Sequence, residues 1–292
     1  MPKKHLATTA SVALLGVLVL GTGVRGQNER TKTIFLSMVD AQGKPITDLG
    51  SNEIAVAEDG RRVEIISFRA ATVPLEIALL ADTTDIVENY VQDVRKSLTS
   101  FVRRIQTAQP ESEIMVMEFG QAAVPLTRFT KNTADLAKTL GRLYPKREAP
   151  SVLLEAIGES SRMLGTRSSM RRAIVILNIE PSSEQSAWRP NQVIDELRKS
   201  GASVWTVSFA VRQSNPTRDV VLPVFTQNAG GSREIINSPS AMEPKLQQVA
   251  DSLLAEYELT YVRPSNAEPP KVVQVHVSRP GLIIRAPVWA PR

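Results

Sequence analysis

The sequence contains no cysteine, which excludes a disulfide framework, a thiolate metal site and a cysteine nucleophile. Histidine is nearly absent too. Of the two, His5 lies in the N-terminal segment and His276 sits in an alternating run near the C-terminus, so no imidazole is available to activate a serine. Neither a Gly-x-Ser-x-Gly elbow nor a phosphate-cradling Gly-x-x-x-x-Gly-Lys loop occurs. An Asn-x-Ser/Thr glycosylation acceptor is also missing, because the one near match, Asn215-Pro216-Thr217, has proline in the excluded place.

Only one long apolar run is present, Ala7 to Val24, preceded by Lys3 and Lys4 and followed by Arg25-Gly26. This pattern reads as a signal peptide over 1–26, with small residues ahead of the cut. As a membrane span the run sits at the lower limit of about 18 residues and is diluted by Gly16, Gly21 and Gly23, so membrane attachment would come only through an uncleaved signal. Removing it takes away three basic residues and no acid, and the net charge falls from +5 to +2. The high isoelectric point therefore implies no nucleic-acid surface, and Arg103-Arg104 and Arg171-Arg172 read as solvated faces or strand entries. Export without cysteines or glycosylation acceptors points to a secreted or periplasmic protein of a bacterial envelope.

The remaining chain is long enough for one large domain and a small companion. Thr33 to Val39 alternates as a strand. Glu53 to Ala57 and Val63 to Phe68 are strands joined through Glu58-Asp59-Gly60, a hairpin signal. From Leu75 the pattern changes to near-continuous apolar strands (Leu75 to Ala81, Ile114 to Phe119, Ala173 to Ile179, Val204 to Phe209). Helical runs lie between or beyond them: Val87 to Ile105, Ala134 to Leu143, Val152 to Leu164, Gln192 to Lys199 and Glu243 to Glu256. Interleaved strands and helices predict an α/β fold with a Rossmann-like, doubly wound, mainly parallel sheet. The predicted organisation is an N-terminal β subdomain at 27–72, an α/β domain at 73–263 that includes the strand Tyr257 to Val262, and C-terminal strands at 264–292 that complete the β subdomain.

The first apolar strand ends on Asp82-Thr83-Thr84-Asp85, at the sheet end where ligands gather. Two readings stay open: a cation site, or polar caps for the helix that starts near Ile86. An aspartate nucleophile at Asp82 is a third, disfavoured because the second acid, lysine and threonine of such sites are not placed at the other strand ends.

These residues resemble the von Willebrand factor type A domain, whose metal-ion-dependent adhesion site begins with Asp-x-Ser-x-Ser after such a strand. The resemblance places Asp82 as the first aspartate, Thr84 as the first hydroxyl and Ser151 before the third helix. It also places Ile86 and Ile179 where the family has oxygen ligands, so it implies a degenerate metal site, with Asp85 or Glu180 as possible substitutes and magnesium as the possible ion. Asp40, Gly43 and Pro45, then Glu58-Asp59-Gly60, Gly230-Gly231, Tyr257-x-Leu259-x-Tyr261 with Pro264, and Arg279-Pro280-Gly281 follow the order found in bacterial relatives of the domain. The implied function is a non-enzymatic protein-interaction or adhesion module with little or no metal dependence. Its partner would be a protein ligand of unknown identity, bound at the carboxyl-end rim of the sheet, where Trp188 is an aromatic contact candidate in a polar loop.

Overall fold

The computed structural model describes residues 31–211, 215–263 and 270–291. The leader over 1–26 and Pro264 of the tyrosine-strand motif lie outside the described residues.

Two six-stranded sheets carry the fold. The first takes strands from both ends of the chain: β1 (Thr31–Val39), β2 (Ile54–Glu58) and β3 (Arg61–Ala70) from the start, β10 (Tyr257–Val262), β11 (Val273–Val277) and β12 (Ile283–Arg285) from the end. Their order is β11-β2-β3-β10-β1-β12, and every pairing is antiparallel. The turn joining β2 and β3 has Asp59 at φ 45° and Gly60 at φ 78°, the two left-handed positions that a tight hairpin turn requires. Strand β10 is the correction to the expected boundaries. It closes no part of the α/β unit but pairs with β3 and β1, and its Leu259 and Tyr261 are buried in the core of this sheet.

The second sheet runs β6 (Val124–Pro125), β5 (Glu113–Glu118), β4 (Glu76–Ala81), β7 (Arg172–Glu180), β8 (Ser203–Ala210) and β9 (Ser232–Ile236) in spatial order. Five strands are parallel and β6 is an antiparallel edge, so the sheet is mixed. Helices α1 (Val91–Ala108), α2 (Thr133–Gly141) and α6 (Met242–Leu254) contribute to the core on one face. The other face packs on α3 (Leu153–Gly165), α4 (Pro190–Ser200) and α5 (Pro216–Ala229). Because both faces are covered, β4 is buried at every residue, which is why it reads as a continuous apolar run.

Helix α5 and strand β9 occupy a stretch in which periodicity marks no element. Pro216 and Pro223 look like breakers there. Pro216, however, stands in the first helical turn, where its missing N–H costs nothing. Asn215 before it caps the helix by accepting from Thr217 N and Arg218 N at 2.9 and 3.3 Å.

The two sheets meet where the chain leaves β3 and re-enters β10. Arg171, 1% exposed, pairs with Glu256 at 2.8 Å, donates to Val73 O at 2.9 Å, and also reaches Leu253 O. It is therefore not the solvated strand entry that the sequence implies. Its guanidinium has enough donors to satisfy backbone acceptors on both crossing segments at once. Arg171→Ala is expected to lower the unfolding free energy by about 3–5 kcal/mol, since Glu256 would be left buried and unpaired. A urea-denaturation loss below about 1 kcal/mol, the ordinary value of a surface pair, would show that the guanidinium is not the clamp.

Candidate functional site at the carboxyl end of the parallel strands

Strand alternation decides which side chains converge at this end. In β4, Ala78 and Leu80 face the α3–α5 side, and Asp82 continues that alternation. In β7, Ile174 and Ile176 face the same side while Val175, Leu177 and Ile179 face the other. Glu180 thus falls on the face of Asp82, one residue beyond Ile179, because consecutive side chains of a strand point to opposite faces.

Asp82 is fully buried, and both of its carboxylate oxygens are occupied. Oδ1 accepts from Thr84 N at 2.9 Å and Thr84 Oγ1 at 2.7 Å; Oδ2 accepts from Ile179 N at 2.9 Å. The polar caps expected for the following helix do not form. The turn after β4 is a 3₁₀ helix over Asp85–Tyr90 whose N-cap, Thr84, makes no side-chain cap bond. Asp82 ties β4 to β7 and orders Thr84, and does not cap the helix itself. Asp85 is exposed.

The centre of the site is held by a residue that no motif indicated. Arg218, fully buried in the first turn of α5, donates through Nη1 to Glu180 Oε1 at 3.1 Å and through Nε to Glu184 Oε2 at 3.0 Å. Glu184 also accepts from Ser151 Oγ at 3.4 Å, which brings Ser151 into the same cluster. Glu180 accepts further from Asn178 Nδ2 at 2.8 Å and Asn215 N at 3.2 Å. Burial pushes the carboxyl groups of both Asp82 and Glu180 above the usual range, and the charge of Arg218 opposes that push in each case. Arg218 itself stays cationic, because Glu180, Glu184 and Asp82 together outweigh its own desolvation. The one sequence signal for it is the Asn-Pro start of α5, which would have put Arg218 in a helical first turn at this end of the sheet.

A divalent ion does not fit these residues as they stand. Asp82 has both oxygens engaged by protein donors, Thr84 spends its hydroxyl on Asp82, and a guanidinium already lies between the other carboxylates. Among the described residues no group of three or more His, Cys, Asp or Glu is placed to hold a metal ion.

Trp188 is placed on its own domain. Its ring packs so closely on α3 that a side-chain carbon at Gly158 would come within 2.4 Å of it, and Arg162 lies over it at 4.9 Å from the ring centre. The rim instead offers Tyr144, 63% exposed on the loop whose Lys146 N donates to Thr83 O at 2.9 Å. Two exposed rim residues, Gln121 and Glu148, adopt φ values of 68° and 53°, which non-glycine residues hold only at a cost.

Arg218→Ala should cost about 3–5 kcal/mol at neutral pH, as it strands buried carboxylates. The sign of its pH dependence follows from linkage. Acids whose folded pKa is raised contribute stability that is full below their unfolded value of about 4 and is lost as pH rises through the folded values. Without the guanidinium those values rise further. The gap between wild type and Arg218→Ala is therefore expected to narrow as pH falls from about 7.5 to about 5, as read by thermal unfolding; a gap that widens over that range would mean that the carboxylates do not depend on Arg218.

No protein-family model matches the sequence, and no curated protein matches it. Solved structures do. The chain is similar to a von Willebrand factor type A protein from Catenulispora acidiphila, with a TM-score of 0.51 and 11% identity over 90% of this chain and 75% of that one. It is also similar to proximal thread matrix protein 1 from the mussel byssus, at TM-score 0.52 and 13% identity, covering 65% of this chain and 48% of that one. The PilB minor pilin from Streptococcus sanguinis matches at TM-score 0.49 and 8% identity over 63% of this chain, which spans 62% of the pilin. At these identities the similarity describes the fold.

Proposed function

We propose that this chain, whose fold is of the von Willebrand factor A type, is an exported, non-enzymatic protein-interaction module whose rim works without a divalent ion. The observation that carries this reading is Arg218. A tethered guanidinium supplies, between Glu180 and Glu184 and within the field of Asp82, the positive charge that a metal would bring to an acidic rim. Unlike a metal it cannot be exchanged or chelated. Aspartate nucleophilic chemistry is disfavoured by the same geometry, because both oxygens of Asp82 are committed to protein donors.

Recognition then falls to the rim surface, where Tyr144 is the exposed aromatic and Gln121 and Glu148 hold strained backbone. Export rests on the leader over 1–26. Among the described residues no helix is long and apolar enough to cross a membrane.

Two measurements test this. Millimolar magnesium or manganese is expected to leave the melting temperature unchanged, and Asp82→Ala is expected to lower stability equally in metal and in chelator, by about 1–3 kcal/mol for each backbone donor it orphans. A working ion site would instead raise stability by about 2.7 kcal/mol at a hundredfold excess over Kd and lose that gain in Asp82→Ala. Separately, capture of a partner from envelope extract should persist in chelator and weaken with Tyr144→Ala but not with Trp188→Ala. Capture that requires magnesium, or turnover on a hydrolase or phosphatase panel abolished by Asp82→Ala, would overturn the reading.

A further inference from the structure

At the opposite end of the parallel strands lies a cavity of about 290 Å³, closed by the first residues of β7 and β8, the last turn of α4, strand β1 and the segment after β12. The size is at the lower end of pockets that take small molecules, about 300–1,000 Å³. It lies across the sheet from the rim, and nothing in the rim reading depends on it.

Its lining is charged in one sense. Four basic side chains line it against a single acid, Glu256. Arg171 is matched by Glu256 and Lys199 by Glu196, which leaves two guanidinium groups without a carboxylate. Arg172 donates to the backbone oxygens of Ser200 and Arg167 at 2.7 and 2.6 Å, while its Nε is buried and has no acceptor among the described residues. Arg198 has a buried Nε in the same condition and makes no hydrogen bond or ion pair among the described residues. Burial holds Arg172 below the usual arginine range, with Glu76, on the neighbouring strand, as the opposing charge. A buried donor without an acceptor costs more than an ordinary hydrogen bond returns, so two such donors on the wall of one cavity call for a partner there. The wall also carries an apolar part, Phe35, Leu197, Trp289 and Ala290, beside the polar residues Thr33, Ser200, Ser203 and Asn228.

We propose that this cavity binds a small organic acid, its carboxylate held by Arg198 and Arg172 and its apolar body laid against Trp289, Phe35 and Leu197. The planar guanidinium fork suits a carboxylate, which can accept two parallel hydrogen bonds. The aromatic and aliphatic wall selects against a bare inorganic anion. The cavity lies between the two sheets, with β1 and the C-terminal segment on one side and β7, β8 and α4 on the other. An occupant would therefore bridge the antiparallel and α/β units and bind the folded chain alone, which couples binding to stability.

Isothermal titration of the full chain with octanoate and phenylpropionate, beside their primary amides and inorganic phosphate, tests the proposal. An acid is expected to bind and to raise the melting temperature, its amide to bind at least about tenfold more weakly, and phosphate more weakly still. Arg198→Gln should cost the acid at least about tenfold in affinity while leaving the unliganded melting temperature unchanged. Should that variant not fold, Arg198→Lys carries the same comparison, since it keeps the charge but loses the fork. The proposal is overturned if neither acid binds, if an amide or phosphate binds as tightly as the acids, or if acid binding is the same in the folded Arg198 variant.

Discussion

One buried cation organises the carboxyl end of the parallel sheet. Arg218 is fully enclosed and meets Glu180 from the end of β7 and Glu184 from the loop beyond it. Through these two acids the organisation spreads. Glu184 Oε1 accepts from Leu154 N at 3.5 Å in the first turn of α3, and Glu180 accepts from Asn215 N at the start of α5. Asn215 in turn donates to Ser182 O at 2.7 Å. The ends of β4 and β7 and the starts of α3 and α5 thus share one charge centre. Buried carboxylates are tolerable only when paired and hydrogen-bonded, so the end of β7 and the starts of α3 and α5 depend on the guanidinium remaining where it is.

A second buried pair does comparable work between the sheets. The chain passes from β3 into the α/β unit and returns at β10, and the two crossings lie side by side, with Ala71 N donating to Glu256 O at 2.8 Å. Arg171 closes this junction. Deeper in the antiparallel sheet, Glu58 on β2 accepts from Tyr261 Oη at 2.6 Å and from Arg263 Nη2 at 2.7 Å, both contributed by the far end of the sequence. Burial and the neighbouring carboxylate both push the Tyr261 hydroxyl above the usual tyrosine range, so it stays a donor. The α/β unit is in effect an insertion, and the sheet it interrupts is rejoined by charge pairs as well as by its strand ladder.

What could be read from the sequence follows from how each feature is encoded. Continuous apolar strands such as β4, the Asp59-Gly60 turn and the alternation of β11 are local patterns, and they appear where the sequence places them. The sheet to which β10 belongs is not legible, because alternation gives a strand its faces but not its neighbours; pairing across 187 or more residues leaves no local mark. Helix α5 is not legible because Pro216 and Pro223 hide a weakly amphipathic helix, and Arg218 is hidden with it. Arg171 and Arg218 look like surface charges in a sequence, since only the packed structure shows that a carboxylate is waiting for each.

The two aliphatic departures from the adhesion-site pattern gain a physical meaning beside Arg218. Ile179 is fully buried in the core on the α1–α6 face, and Ile86 packs against the same cluster. Both side chains extend the hydrophobic core beneath the rim. The backbone also serves the carboxylate, because Ile179 N–H donates to Asp82 Oδ2. A buried Asp82 among aliphatic neighbours would be a desolvated anion if left alone. Arg218 supplies the opposing charge, on one further condition: its counter-ions must lie on the face opposite Ile179. Glu180, the next residue along the strand, meets that condition by the alternation of β7 alone. The aliphatic residues, the neighbouring acid and the buried arginine are therefore parts of one arrangement, in which a charge carried on the chain balances buried acids.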